Sequence, residues 1–295
     1  MVLKISKKEI EALSALCLGE AGAGALAKMI GMKKSLLSRV LRRLEEKGLV
    51  TAERKGTSKV LRLSPASHAQ NFKRLLDSRP GARVEKWLSG VAVDVLITAE
   101  NGADMKMLLE EVGCSAGTLY KNLKALSAVG AIARDANKIR LNDQIAKAFA
   151  VSYAENLEMS ALRGVKGRNN SFRMRKHILV RTDAEEVPSF FVETGVSALA
   201  KRGLEAMIGK NRDYYFNLEE AKRELSEEEM FVHGLRMAKQ RYGSDILLLG
   251  LFFGKKKHQL SLPVLKKFAE KYGVENELQE IREKMEFHER AEELK

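Results

Sequence analysis

Ser35, Ser38, Arg39 and Arg42 follow one another at helical spacing, with Lys33, Lys34 and Arg43 flanking them. Hydroxyls and guanidinium groups on one helix face are the side chains that hydrogen-bond base edges and phosphate oxygens in a DNA major groove. Beyond them, Arg54, Lys55 and Lys59 bracket a glycine-containing tip, where cations would meet phosphate or an adjacent minor groove. A second, sparser set lies further along the chain. Ser115, Thr118, Lys121 and Lys124 share one helical face, with Asn122 on it and Tyr120 as a stacking or phosphate-bonding group.

Other chemistry is poorly provided for. His68, His177, His233, His258 and His288 show no ligand spacing with one another, and Cys17 and Cys114 form no CxxC pair. The chain has no GxxxxGK[ST] phosphate loop, no strand-coupled GxGxxG and no GxSxG elbow. Glu227, Glu228 and Glu229 cluster at the start of a helix, where they complement the macrodipole. The expectation is a protein that is not an enzyme and needs neither cofactor nor metal.

Charge supports the same direction. The 295 residues carry a formal net charge of +13. Residues 1–75 hold 16 Lys/Arg against 6 Asp/Glu, whereas residues 76–160 hold 10 against 11. So local an excess suits a polyanion partner, although a solvated basic face would look the same. No apolar run approaches the roughly 18 residues of a membrane span, and the charged N-terminus lacks a signal-peptide core, so a cytoplasmic protein is expected.

The elements that must position these side chains repeat. Residues 22–63 are echoed 82 positions on by residues 104–141: Gly31, Leu37, Leu41, Leu44 and Gly48 recur as Gly113, Leu119, Leu123, Leu126 and Gly130. In each copy a helix-spaced apolar stripe ends at a glycine and a short hairpin follows. In the first copy Ile10, Leu13, Leu16 and Leu18 suggest one helix, Leu26, Met29 and Ile30 a second, and residues 33–47 a third. Residues 49–53 and 59–63 read as strands of a wing. In the second, "VEKWLSGVAVDVLITAE" reads as one opening helix, followed by a candidate recognition helix at 115–129 and a wing four residues shorter. There Gly117 replaces Ser35, Ala125 replaces Arg43, and Glu110 and Glu111 would repel phosphate.

The junction Leu41, Leu44, Glu45, Gly48, Leu49, Val50 resembles the LxxLExxGLV signature of the MarR/ArsR-type winged-helix superfamily, over roughly residues 6–65. That resemblance implies a winged helix-turn-helix fold and DNA binding by the first copy, though some winged helices bind only protein.

Residues 161–182 carry seven cations and no acid before Asp183, and their first half reads as a linker. Mixed α and β follow: strands at 177–181 and 213–217, a turn and small-residue helix at 194–204, and a Ser226/Glu229 capping box before a helix to about 239. A buried helix at 246–253 and helices near 262–271 and 276–287 close the chain. The "TGVSALA" segment, the "DYYFN" strand and the helical tail together resemble AbiE-type antitoxins and related archaeal regulators. This implies a C-terminal domain that contacts a partner toxin, and promoter autoregulation.

The expected fold class is α+β, mainly helical, with two tandem winged helices at 1–80 and 81–160 and a mixed domain at 161–295 for interaction, dimerisation or sensing. The expected partner is double-stranded DNA, with a homodimer and a partner toxin or other protein as further candidates. A transcription regulator leads; an antitoxin-like adaptor and a replication-associated DNA-binding protein stand behind it.

Overall fold

The computed structural model describes residues 3–55, 58–204, 209–219, 221–239 and 244–293. It is α+β, mainly helical with several small sheets, and divides into two units, Met1–Ser160 and Ala161–Lys295.

In the N-terminal unit α1 (Lys7–Leu18) begins at a capping box. Ser6 Oγ accepts the Glu9 N–H at 3.2 Å, and the Glu9 carboxylate accepts the Ser6 N–H at 2.6 Å. β1 (Ala21–Gly22) and α2 (Ala23–Met29) lead to Gly31, whose φ of +61° lets the chain turn into α3 (Lys34–Glu46). α3 buries Leu37, Val40, Leu41 and Leu44, the stripe expected of it. β2 (Val50–Lys55) and β3 (Ser58–Leu63) form the hairpin, with β1 on the outer edge of β3. α4 (Ser67–Asp77), not foreseen in the sequence, packs Phe72 and Leu75 inward.

The next elements are α5 (Val84–Trp87), α6 (Ala92–Thr98), β4 (Ala103–Asp104), α7 (Met105–Val112), α8 (Ala116–Ala128), β5 (Ile132–Asp135), β6 (Lys138–Leu141) and α9 (Gln144–Leu162). Their sheet order, β4-β6-β5, reproduces β1-β3-β2. Ala21 pairs with Leu61 and Gly22 with Val60; equivalently, Ala103 pairs with Ile139 and Asp104 with Lys138. Even the bonds closing the third helix recur, Leu49 N–H to Leu44 O and Ala131 N–H to Leu126 O, each 2.9–3.0 Å.

One expectation for this unit needs correction. The single helix read over "VEKWLSGVAVDVLITAE" is two, because Gly90 adopts φ +72° and donates its N–H to Ile5 O at 2.9 Å. Of the residues that marked the first two helices, Leu18 and Met29 are 84% and 60% exposed. The remaining residues of their helices supply enough apolar surface to seat them.

In the C-terminal unit β7 (Asn169–Met174), β8 (His177–Thr182), β9 (Val192–Thr194) and β10 (Arg212–Asn217) form an antiparallel sheet in the order β7-β8-β10-β9. α10 (Gly195–Ala200), α11 (Glu227–Lys239), α12 (Ser244–Lys256), α13 (Leu262–Tyr272) and α14 (Glu275–Glu293) complete it. Phe231, Leu235, Leu249, Phe252, Leu265 and Ile281 share one core. Two expectations change here. Part of the supposed linker is β7, paired along its length with β8 and therefore ordered despite its polar sequence. The helix expected to be buried at 246–253 is amphipathic: Leu249 and Phe252 are buried, whereas Leu247 and Leu251 are exposed.

Candidate nucleic-acid interface

α3 presents two opposite faces. Its leucines close the core, and Lys33, Lys34, Ser35, Ser38, Arg39, Arg42 and Arg43 all lie exposed on the other side. Arg42 is tethered, its Nε 3.0 Å from Glu46 Oε1 one turn on. Lys33, Lys34, Arg39 and Arg43 have no ion-pair partner among the described residues. Nor does any side chain cap the start of α3, where Lys33 is the N-cap. Its first N–H groups therefore lie beside two lysines, an arrangement that favours an anion such as a phosphate oxygen.

The wing adds to this face. Arg54 is exposed, and Lys59 Nζ lies 3.0 Å from Glu45 Oε1, tying β3 to the end of α3. Arg62 bonds Glu53 across the hairpin. The Lys55 backbone belongs to β2; its side chain and the tip at 56–57 lie outside the described residues.

The second copy places Ser115, Thr118, Lys121 and Lys124 on the exposed face of α8, with Tyr120 56% exposed. Its hydroxyls, however, serve their own helix. Ser115 is the N-cap, accepting the Thr118 N–H at 3.3 Å, and the two hydroxyl oxygens lie 2.9 Å apart. The corresponding wing turns tightly at Ala136, with φ of 51°.

What holds α3 in place was not legible in the sequence. Lys47, the apparent continuation of its basic run, is 3% exposed. Its Nζ donates to Glu9 Oε1 at 2.6 Å and to Lys4 O at 2.7 Å. Burial pushes the Lys47 ammonium below its ordinary range, and the hydrogen bond it donates to Glu9 opposes the shift. The Lys47 carbonyl accepts His68 Nε2–H at 3.1 Å and Asn156 Nδ2 at 2.9 Å. Burial also holds the His68 imidazole below its usual value. One repeat later, the equivalent carbonyl of Val129 accepts Arg79 Nε at 3.3 Å, and Arg79 is ion-paired with Asp143. Each outward helix is thus clamped at its C-terminal end by polar side chains from elsewhere in the unit. Nothing in local spacing announces such partners, 21 to 109 residues distant from Lys47.

The carboxylates 227–229 are likewise structural in a way that the helix-start reading missed. Glu229 is buried and bidentate to Arg223, with Nη1–Oε2 at 2.6 Å. It also accepts Tyr272 OH at 3.2 Å, and His233 Nε2 lies 3.6 Å away. His233 Nδ1 is 2.8 Å from Thr194 Oγ1. This Thr–His–Glu line superficially resembles a nucleophile and its base. Thr194 and His233 are both 0% exposed, so the hydroxyl faces no substrate. Burial depresses the His233 imidazole to about 3. Among the described residues no group of three or more His, Cys, Asp or Glu could hold a metal, and no helix is long and apolar enough to cross a membrane.

A helix pair followed by a hairpin, with cations opposite the leucine seam, is the form of a winged helix-turn-helix domain of the transcription-regulator kind. Residues 1–67 match the family model described as sugar-specific transcriptional regulator TrmB. No curated protein and no solved structure matches the chain.

Proposed function

We propose that this protein is a transcription regulator that binds double-stranded DNA through two tandem winged helices, at 1–80 and 81–160, of which the first dominates. The observation that carries this reading is the α3 face, where five Lys/Arg between Lys33 and Arg43 stand exposed opposite a buried leucine seam. In this account Ser35, Ser38, Arg39 and Arg42 read base edges, while Lys33, Lys34, Arg43, Arg54, Lys55 and Lys59 hold phosphates. The repeated strand register supports the tandem arrangement. The internal bonding of Ser115 and Thr118 supports a lesser role for the second copy, whose Lys121 and Lys124 make backbone contacts. No catalytic step and no cofactor enter this function. The C-terminal unit, 161–295, serves interaction, homodimerisation or sensing. Mobility shift on genomic fragments tests the reading. Arg39→Glu with Arg42→Glu abolishes retention, and retention like that of the unaltered protein would overturn it.

The antitoxin-like adaptor reading rests on the "TGVSALA" and "DYYFN" resemblance alone, and a toxin co-purifying with the chain would favour it. Occupancy at origin-like repeats rather than promoters would favour a replication role.

A further inference from the structure

A pocket of about 920 Å³ opens within the C-terminal unit, bordered by β9, the end of α10, residues 222–225 and the start of α11. Val192, Leu225 and Met230 give it an apolar wall, and Lys201, Arg202, Lys222 and Arg223 give it cations. Glu193 and Glu224 are its carboxylates, leaving the lining with an excess of positive charge.

The four cations are held differently. Arg223 is fixed in orientation: its two terminal nitrogens grip Glu229, its Nε donates to Tyr215 OH at 3.1 Å, and its Cζ sits 4.5 Å from the centre of the Tyr215 ring. Its side chain nevertheless remains 36% exposed and lines the pocket, and these bonds leave one N–H unused on each terminal nitrogen of an already oriented fork. Lys201 is held by Glu193. Arg202 lies 3.9 Å from Glu227, too far for a hydrogen bond, and Lys222 has no partner among the described residues. A preset guanidinium, two loosely held cations and an apolar wall make a concave site for a compact anion with an organic body.

We infer that this pocket binds a small organic dianion, with Arg223 orienting the anionic group and Arg202 and Lys222 closing on it. The inference stands apart from the DNA-binding reading, since it concerns residues of the other unit. Phosphate esters and dicarboxylates share the required chemistry, and the test separates them.

The full chain is melted in inorganic phosphate, in succinate and in chloride at equal ionic strength. At ligand near ten times Kd, the melting temperature of the C-terminal unit rises by about 4 °C over chloride. A rise with phosphate assigns the ester class, and a rise with succinate the dicarboxylate class. Because the basic DNA-facing surface also attracts phosphate, two variants localise the effect. Arg202→Gln with Lys222→Gln, both exposed positions, loses the rise; Lys33→Glu with Lys34→Glu keeps it. Titration calorimetry of the same proteins gives a second readout, with affinity falling at least tenfold in the 202/222 variant. Absence of any rise in the unaltered protein, or an undiminished rise in the 202/222 variant, overturns the inference.

Discussion

At the scale of single residues, the side chains that matter divide into those facing solvent and those hidden beneath them. Arg39 and Arg42 belong to the first kind, and helical spacing alone placed them on the exposed face. Lys47 belongs to the second: it continues the same basic run but turns inward to Glu9. An isolated buried ammonium is costly, so removing one partner strands the other. Lys47→Ala is expected to lower unfolding free energy by about 3–5 kcal/mol in urea denaturation, whereas Lys47→Met with Glu9→Leu recovers much of that loss. A fall of under about 1 kcal/mol in the single variant would show that the pair is not buried as described. Ala136 offers the opposite sign. With φ at 51° it occupies the first position of the tight β5–β6 turn, a conformation favourable to glycine. Ala136→Gly should stabilise the unit by about 0.5–1 kcal/mol, measured the same way.

At the scale of elements, periodicity made the repeated helix-and-hairpin frame legible. The leucine stripe of α3 fell where it was expected, and so did the terminating Gly31 and Gly48. The wing shortened by four residues kept its pairing because register is set by which side chains must face inward. Elements defined by long-range partners stayed hidden. Gly90 breaks what reads as one continuous helix because its N–H is taken by Ile5, and β7 is a strand because β8 lies beside it. The polar line through Thr194, His233 and Glu229 was likewise invisible, since β9 and α11 are far apart in sequence. It has a pH consequence. Burial lowers the folded His233 value to about 3 from an ordinary value near 6.5, so the folded state prefers the neutral ring. Stability from this group is fully present above pH 6.5 and is lost as pH falls towards 3. Burial pushes the Glu229 carboxyl up, but the hydrogen bonds from Arg223 outweigh it and hold the group low, so its contribution also fades in acid. Melting of the C-terminal unit should therefore drop steadily below pH 6.5, and His233→Gln should flatten that slope. An equally steep slope in the variant would remove His233 from the account.

For the whole molecule, charge and architecture point the same way. The N-terminal quarter holds most of the net positive charge, and α3 with its wing turns much of it outward. The second copy repeats the frame without the dense cations, which explains why the fold repeats more faithfully than the surface does. A function carried by the first copy therefore shows in how affinity responds to salt, because each phosphate neutralised by Lys or Arg releases counterion.

The most direct measurement is fluorescence anisotropy of the full chain on duplex DNA across a salt series, comparing Arg39→Glu/Arg42→Glu with Lys121→Glu/Lys124→Glu. The account predicts a steep fall of log affinity with log salt, at about 0.9 per phosphate contact for the unaltered protein. The α3 pair of substitutions should abolish measurable binding, and the α8 pair should weaken it about tenfold or less. Intact binding by the α3 variant, or collapse confined to the α8 variant, would contradict the account.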